Sequence, residues 1–86
     1  MKTTDNKKWK SPEEALPSVK HDAALFRIYE ELAKGTILTA LDGITMFRTM
    51  HFGKYISILR KDYHIPVSSR WIQLDSGKSC KEYYLD

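Results

Sequence analysis

Few residues in this chain are placed for catalysis. His21, His51 and His64 are scattered, Cys80 is the only cysteine, and no CxxC or HxxxH spacing gives a metal two ligands on one turn. Gly35, Gly43, Gly53 and Gly77 are too dispersed for a phosphate-cradling loop, and no Ser, His and acid set occupies a strand-turn-helix setting. A chain of 86 residues also has little room for a cleft between lobes. We therefore read a binding protein rather than an enzyme, with no metal and no cofactor expected.

The side chains left to do chemistry are cations. The net charge is only +3, but it is unevenly spread. Residues 48 to 81 hold Arg48, Lys54, Arg60, Lys61, Arg70, Lys78 and Lys81 against Asp62 and Asp75, a net of +5. Residues 1 to 47 are close to neutral. A basic half of this kind suits a polyanion, and duplex DNA is the partner such residues reach best from a helix.

The elements that must position these cations follow from the apolar spacing. The hydrophobic share of 42% and charged share of 29% are those of an ordinary globular domain. No run approaches the length of about twenty apolar residues that a membrane span needs. The polar start MKTTDNKKWK lacks the apolar stretch of a signal peptide, and one cysteine cannot form an intrachain disulfide. These features point to the cytosol and to no membrane partner, with Cys80 as a packing residue.

Residues 1 to 20 read as a flexible basic arm, because Pro12 and Pro17 interrupt any long helix and apolar periodicity is missing. Ser11 followed by Pro12 could cap a single turn, with a solvated tail as the alternative. Removal of this arm should then leave stability nearly unchanged. Residues 21 to 86 form the folded domain. Ala24, Leu25, Ile28 and Leu32 share one face of a first helix that stops at Gly35, and Thr36 to Leu38 suits a short strand. Thr39 caps a second helix from about Ala40 to Phe47, with Asp42 completing a short capping box and Leu41, Ile44 and Phe47 facing inward.

After a tight connection from Arg48 to His51, the spacing of Phe52, Ile56, Leu59 and Tyr63 predicts a third helix ending near His64, before Pro66. Leu41, Ile44, Phe52, Ile56 and Leu59 are expected to meet Leu25 and Ile28 in one core. Ile65 to Leu74 and Ser79 to Leu85 read as two strands joined by a turn at Asp75-Ser76-Gly77-Lys78. The class is α+β. A three-helix core followed by a basic-tipped C-terminal β-hairpin wing is the winged helix-turn-helix plan.

The stretches Leu38-Thr39-Ala40-Leu41-Asp42, Met50 with Phe52, and Ile56-Ser57-Ile58-Leu59-Arg60-Lys61 followed by Ile65 also resemble the small helix-turn-helix domain of phage and mobile-element proteins. The resemblance spans roughly residues 36 to 85. It implies a winged helix fold and DNA binding in the regulation, excision or packaging of a phage or integrated element. In two places the chain departs from that pattern: Arg48 stands where a glycine is usual, and Asp62-Tyr63-His64 replaces a glycine-containing helix end.

In this plan the third helix enters the major groove, so Arg48, Thr49, His51, Lys54, Tyr55, Ile58 and Lys61 are the candidate contacts to bases and phosphates, with Ile58 able to meet a thymine methyl. Lys78 and Lys81, with Ser76 and Ser79 nearby, could lie along the phosphate backbone, or form an ordinary charged turn. Arg60 has two readings, a DNA contact or a structural ion pair with Asp42 or Glu30. Lys7, Lys8 and Lys10 around Trp9 could act as a groove-reaching arm or only aid solubility. The rival function is a protein-binding winged helix that uses Tyr55, Ile58 and Trp71, and a homodimer is compatible with either.

Overall fold

The computed structural model describes residues 9–85. Lys7 and Lys8 of the basic cluster lie outside the described residues. Seven elements follow in order: α1 Pro12–Ala15, α2 Ala24–Ala33, β1 Leu38–Thr39, α3 Ala40–Phe47, α4 Phe52–Lys61, β2 Ser68–Gln73 and β3 Ser79–Tyr84. The architecture is α+β, with a three-stranded antiparallel sheet in the order β1-β3-β2. From α2 onward this is the element order that the apolar spacing predicts. No helix among the described residues is long and apolar enough to cross a membrane.

The main departure lies at the start of the chain. Ser11 caps α1, accepting from the Glu14 N–H at 3.3 Å, with Pro12 in the first turn. That turn delivers Leu16, 1% exposed, into the core, and Trp9, Ala15 and Val19 pack beside it. Tyr29 on α2 donates its hydroxyl to the Lys10 carbonyl at 2.7 Å, tying the incoming chain to the helix. Burial, then the Glu14 carboxylate, raises the Tyr29 phenol above its ordinary value. Neutral tyrosine is thus favoured in the fold, and its contribution, full below the ordinary tyrosine value, is lost as pH climbs from there through the raised one. Residues 9 to 19 are therefore part of the packed domain rather than a free arm.

α2 is the central helix. It buries Leu25, Phe26, Ile28, Tyr29 and Leu32, a face wide enough to receive α1, α3 and α4 together. α3 begins with the expected capping box, in which the Thr39 N–H donates to Asp42 Oδ2 at 2.9 Å and the Asp42 N–H donates to Thr39 Oγ1 at 3.3 Å. Its inward face, however, carries Gly43 and Phe47. Leu41 and Ile44, expected in the core, are 65% and 47% exposed. The reason is a close helix crossing: a β-carbon on Gly43 would stand 2.8 Å from Cβ of Phe52, so only glycine allows α4 this near. Apolar spacing favours the large residues at 41 and 44, whereas the contact itself selects the smallest residue.

α4 buries Phe52, Ile56 and Leu59 and leaves Tyr63 half-buried beyond its last turn. It ends at Lys61, earlier than expected, and closes through the Ile65 N–H donating to the Leu59 carbonyl at 2.9 Å. Ile65 and Val67 are buried but unpaired with the sheet, so β2 starts at Ser68 and not at Ile65. The hairpin turns where expected. The Gly77 N–H donates to the Leu74 carbonyl at 2.9 Å, the Leu74 N–H donates to the Lys78 carbonyl at 2.7 Å, and Gly77 takes a φ of 88°.

Candidate nucleic-acid interface

α3, the connection 48–51 and α4 place the first group of candidate contacts. Arg48, His51, Lys54 and Lys61 are exposed, whereas Thr49, Tyr55 and Ile58 are half-buried. Tyr55 and Ile58 pack along the edge of the core. The outward face of α4 is therefore less apolar than its composition suggests. Its exposed stripe is Lys54, Ser57 and Lys61, which recur at helical spacing. Ser57 is a residue that sequence reasoning passed over, although its place between Lys54 and Lys61 was readable.

From Gly43 to Lys61 the chain contains no Asp or Glu. Neither the turn nor α4 thus carries a carboxylate to neutralise Arg48, Lys54 or Lys61. Among the described residues the ion pairs of Lys34 with Glu31 and of Arg70 with Glu82 lie elsewhere. A helix whose solvated side is uniformly cationic, with a hydroxyl between two lysines, offers phosphate contacts and a hydrogen-bonding group to a groove.

The connection is built tightly. The Thr49 N–H donates to the Gly43 carbonyl at 3.0 Å, and Thr49 Oγ1 accepts from the His51 N–H at 3.0 Å. The Thr49 hydroxyl thus sets the entry to α4. Between these bonds, Arg48 adopts a left-handed φ of 54°. His64, past the end of α4, adopts 56°. These are the two places where the resemblance leads one to expect a glycine, and the backbone shows why glycine would suit them. Arg48→Gly is expected to stabilise the domain by about 1 kcal/mol, since a left-handed residue with a β-carbon costs about that much. A rise in thermal midpoint would show it, and a fall would mean that the arginine side chain makes a stabilising contact.

Arg60 takes neither of its expected carboxylate partners. Its Nε donates to the Val67 carbonyl at 3.0 Å, and its guanidinium lies 5.9 Å from the Tyr83 ring centroid. It anchors the buried segment between α4 and β2, which is a structural role with a different acceptor. The reason is that the Val67 carbonyl lies outside the sheet pairing and needs a donor, which Arg60 supplies from the last turn of α4.

The hairpin carries the second group. Lys78 is exposed at its tip, and Lys81 is half-buried with its ammonium 5.5 Å from the centroid of Trp71, itself 68% exposed. Arg70 is paired with Glu82 at 2.9 Å, so its charge is committed. The two groups sit on separate elements, one on the helix pair and one on the hairpin. Lys10, from the expected arm, is exposed, and its carbonyl is held by Tyr29.

Among the described residues, no cluster of three or more His, Cys, Asp or Glu side chains could hold a metal ion. Comparison with family profiles, with curated proteins and with solved structures finds no match to this chain.

Proposed function

We propose that the protein is a winged helix-turn-helix domain that binds double-stranded DNA, with α4 in the major groove and the β2–β3 hairpin along the adjacent backbone. The observation that carries this reading is the acid-free segment Gly43–Lys61, which exposes Arg48 in the connection and Lys54, Ser57 and Lys61 on α4, a helix held by a capped partner and a short connection. The element order and the three-stranded antiparallel sheet support it, being compatible with three helices followed by a hairpin wing. The service performed, regulation, excision or packaging in a phage or mobile element, rests on the resemblance alone.

Lys54 and Lys78 then have different tasks. Lys78→Ala removes at most one phosphate contact, so affinity falls on all duplexes alike and the log-log salt slope shrinks by about one unit. Lys54→Ala instead alters preference among sequences, with about 1–3 kcal/mol lost on the best site and less elsewhere. Binding curves against a duplex selected from a random pool and against an unrelated duplex separate the two. Equal losses on both duplexes for both variants would count against α4 as the reading element.

A further inference from the structure

We propose that β2 is a pairing edge for a second copy of this chain: two protomers join their β2 strands antiparallel about a two-fold axis at Trp71, forming one continuous sheet. The inference rests on the sheet alone and is independent of DNA binding.

β3 is the middle strand, so β2 is an edge along its whole length, whereas the opposite edge, β1, has only two residues. Leu74 donates to the Lys78 carbonyl, so these two residues form a hydrogen-bonded pair. In an antiparallel ladder such pairs alternate, and with the register Ile72↔Cys80, Arg70↔Glu82 and Ser68↔Tyr84 the inward bonds of β2 belong to residues 72, 70 and 68. The N–H and C=O groups of Ser69, Trp71 and Gln73 therefore point away from β3. The same alternation turns Tyr83 of β3 toward the far side, and β1 does pair there, with Leu38 opposite Tyr83.

This edge lacks the devices that usually guard one. Protective lysines, prolines and bulges are absent: β2 reads SSRWIQ, and its register with β3 is one-to-one throughout. Its single charge, Arg70, is neutralised by Glu82 on the neighbouring strand. Trp71 and Ile72 are strong strand formers.

The edge is also complementary to itself. Outward groups at 69, 71 and 73 are symmetric about Trp71. An antiparallel partner of the same sequence thus sets Trp71 opposite its counterpart and Ser69 opposite Gln73, and each of these pairs exchanges both N–H···O bonds. Arg70 then faces Ile72, so no like charges are directly opposed. Hydrogen-bonded pairs stand about 5.5 Å apart between Cα atoms, which brings the two exposed indoles into contact on one face. One strand edge is smaller than the about 800 Å² per partner of a standard interface, so the dimer is weak and concentration-dependent.

Amide hydrogen exchange of the intact protein, read residue by residue over increasing concentration alongside sedimentation equilibrium, tests this. As dimer accumulates, the amides of Ser69, Trp71 and Gln73 should slow by about tenfold or more, while those of Arg70 and Ile72, already bonded to β3, should not respond. Gln73→Pro removes a donor that the monomer does not use, and Trp71→Lys places charge at the two-fold axis while leaving every backbone donor intact. Each should weaken association by about tenfold or more with the circular dichroism unchanged. If Gln73→Pro disturbs the hairpin, Trp71→Lys alone decides. A protein that stays monomeric at every concentration, a dimer in which the three outward amides exchange as in the monomer, or a Trp71→Lys variant that associates like the parent would each overturn the proposal. Protection that arises only on addition of a different protein would overturn it as well, in favour of strand addition by that partner.

Discussion

Leu16→Ala is expected to lower the stability of the domain by about 2–5 kcal/mol, the usual range for truncating a fully buried leucine. Leu16 is 1% exposed and belongs to the same cluster as Ile28, Tyr29 and Leu32. A leucine on a solvated arm would instead give a change within about 0.5 kcal/mol. Total stability for a domain of this kind is about 5–15 kcal/mol, so the loss is a large share of it. A urea titration of Leu16→Ala beside Ser18→Ala, whose side chain is exposed, separates the two cases. The midpoint should drop strongly for Leu16 and hardly move for Ser18. Deletion of residues 1–19 should destabilise in the same direction, because it removes Leu16, Val19 and the Lys10 carbonyl that accepts from Tyr29. A deletion variant with the parent's midpoint would return these residues to the status of a tail.

Gly43→Val is expected to destabilise toward the upper end of the roughly 1–3 kcal/mol typical of overpacking. A β-carbon at this position meets Cβ of Phe52 at 2.8 Å and Cδ1 at 2.9 Å, and Phe52 is itself buried. α3 and α4 must then move apart, which also displaces the helix that carries Lys54 and Lys61. Gly53 is the control. It lies in α4 with nothing within 4 Å of its would-be β-carbon, so Gly53→Ala should gain up to about 1 kcal/mol from helix propensity. Gly43→Ala should lose stability despite the same propensity gain. Parallel increases for both alanine variants, read by thermal midpoint, would show that the crossing is looser than described.

How far the sequence reveals these features depends on whether the signal is local. Thr39 and Asp42 mark the start of α3 because a capping box is a property of four consecutive residues, and Gly77 marks the hairpin turn for a similar reason. Phe52, Ile56 and Leu59 reveal the inward side of α4 because large apolar residues recur there at helical spacing. Leu16 carries no such signal, being a single apolar residue close to Pro12 and Pro17, and its burial comes from joining a core cluster whose other members lie far along the chain. Leu41 and Ile44 mislead because periodicity weighs side-chain size, while the α3–α4 contact depends on the absence of a side chain at Gly43. The acceptor for Arg60 is a backbone carbonyl, which no residue type announces. At the candidate interface the cations themselves are legible. The half-burial of Tyr55 and Ile58 and the seating of Lys81 on Trp71 are tertiary facts.

The claim that α4 and the hairpin bind duplex DNA is tested most directly by measuring the affinity of the intact protein for a duplex as salt is varied. Arg48, Lys54, Lys61, Lys78 and Lys81 are the exposed or partly exposed cations that α4, its connection and the hairpin bring to a duplex. With about four of them engaged, the slope of log affinity against log salt is about −3.6, so affinity falls about 100-fold between roughly 50 and 200 mM salt. Undetectable binding at the low-salt end, or an affinity that stays flat across the range, would contradict the account and favour a protein partner on the surface around Tyr55 and Ile58.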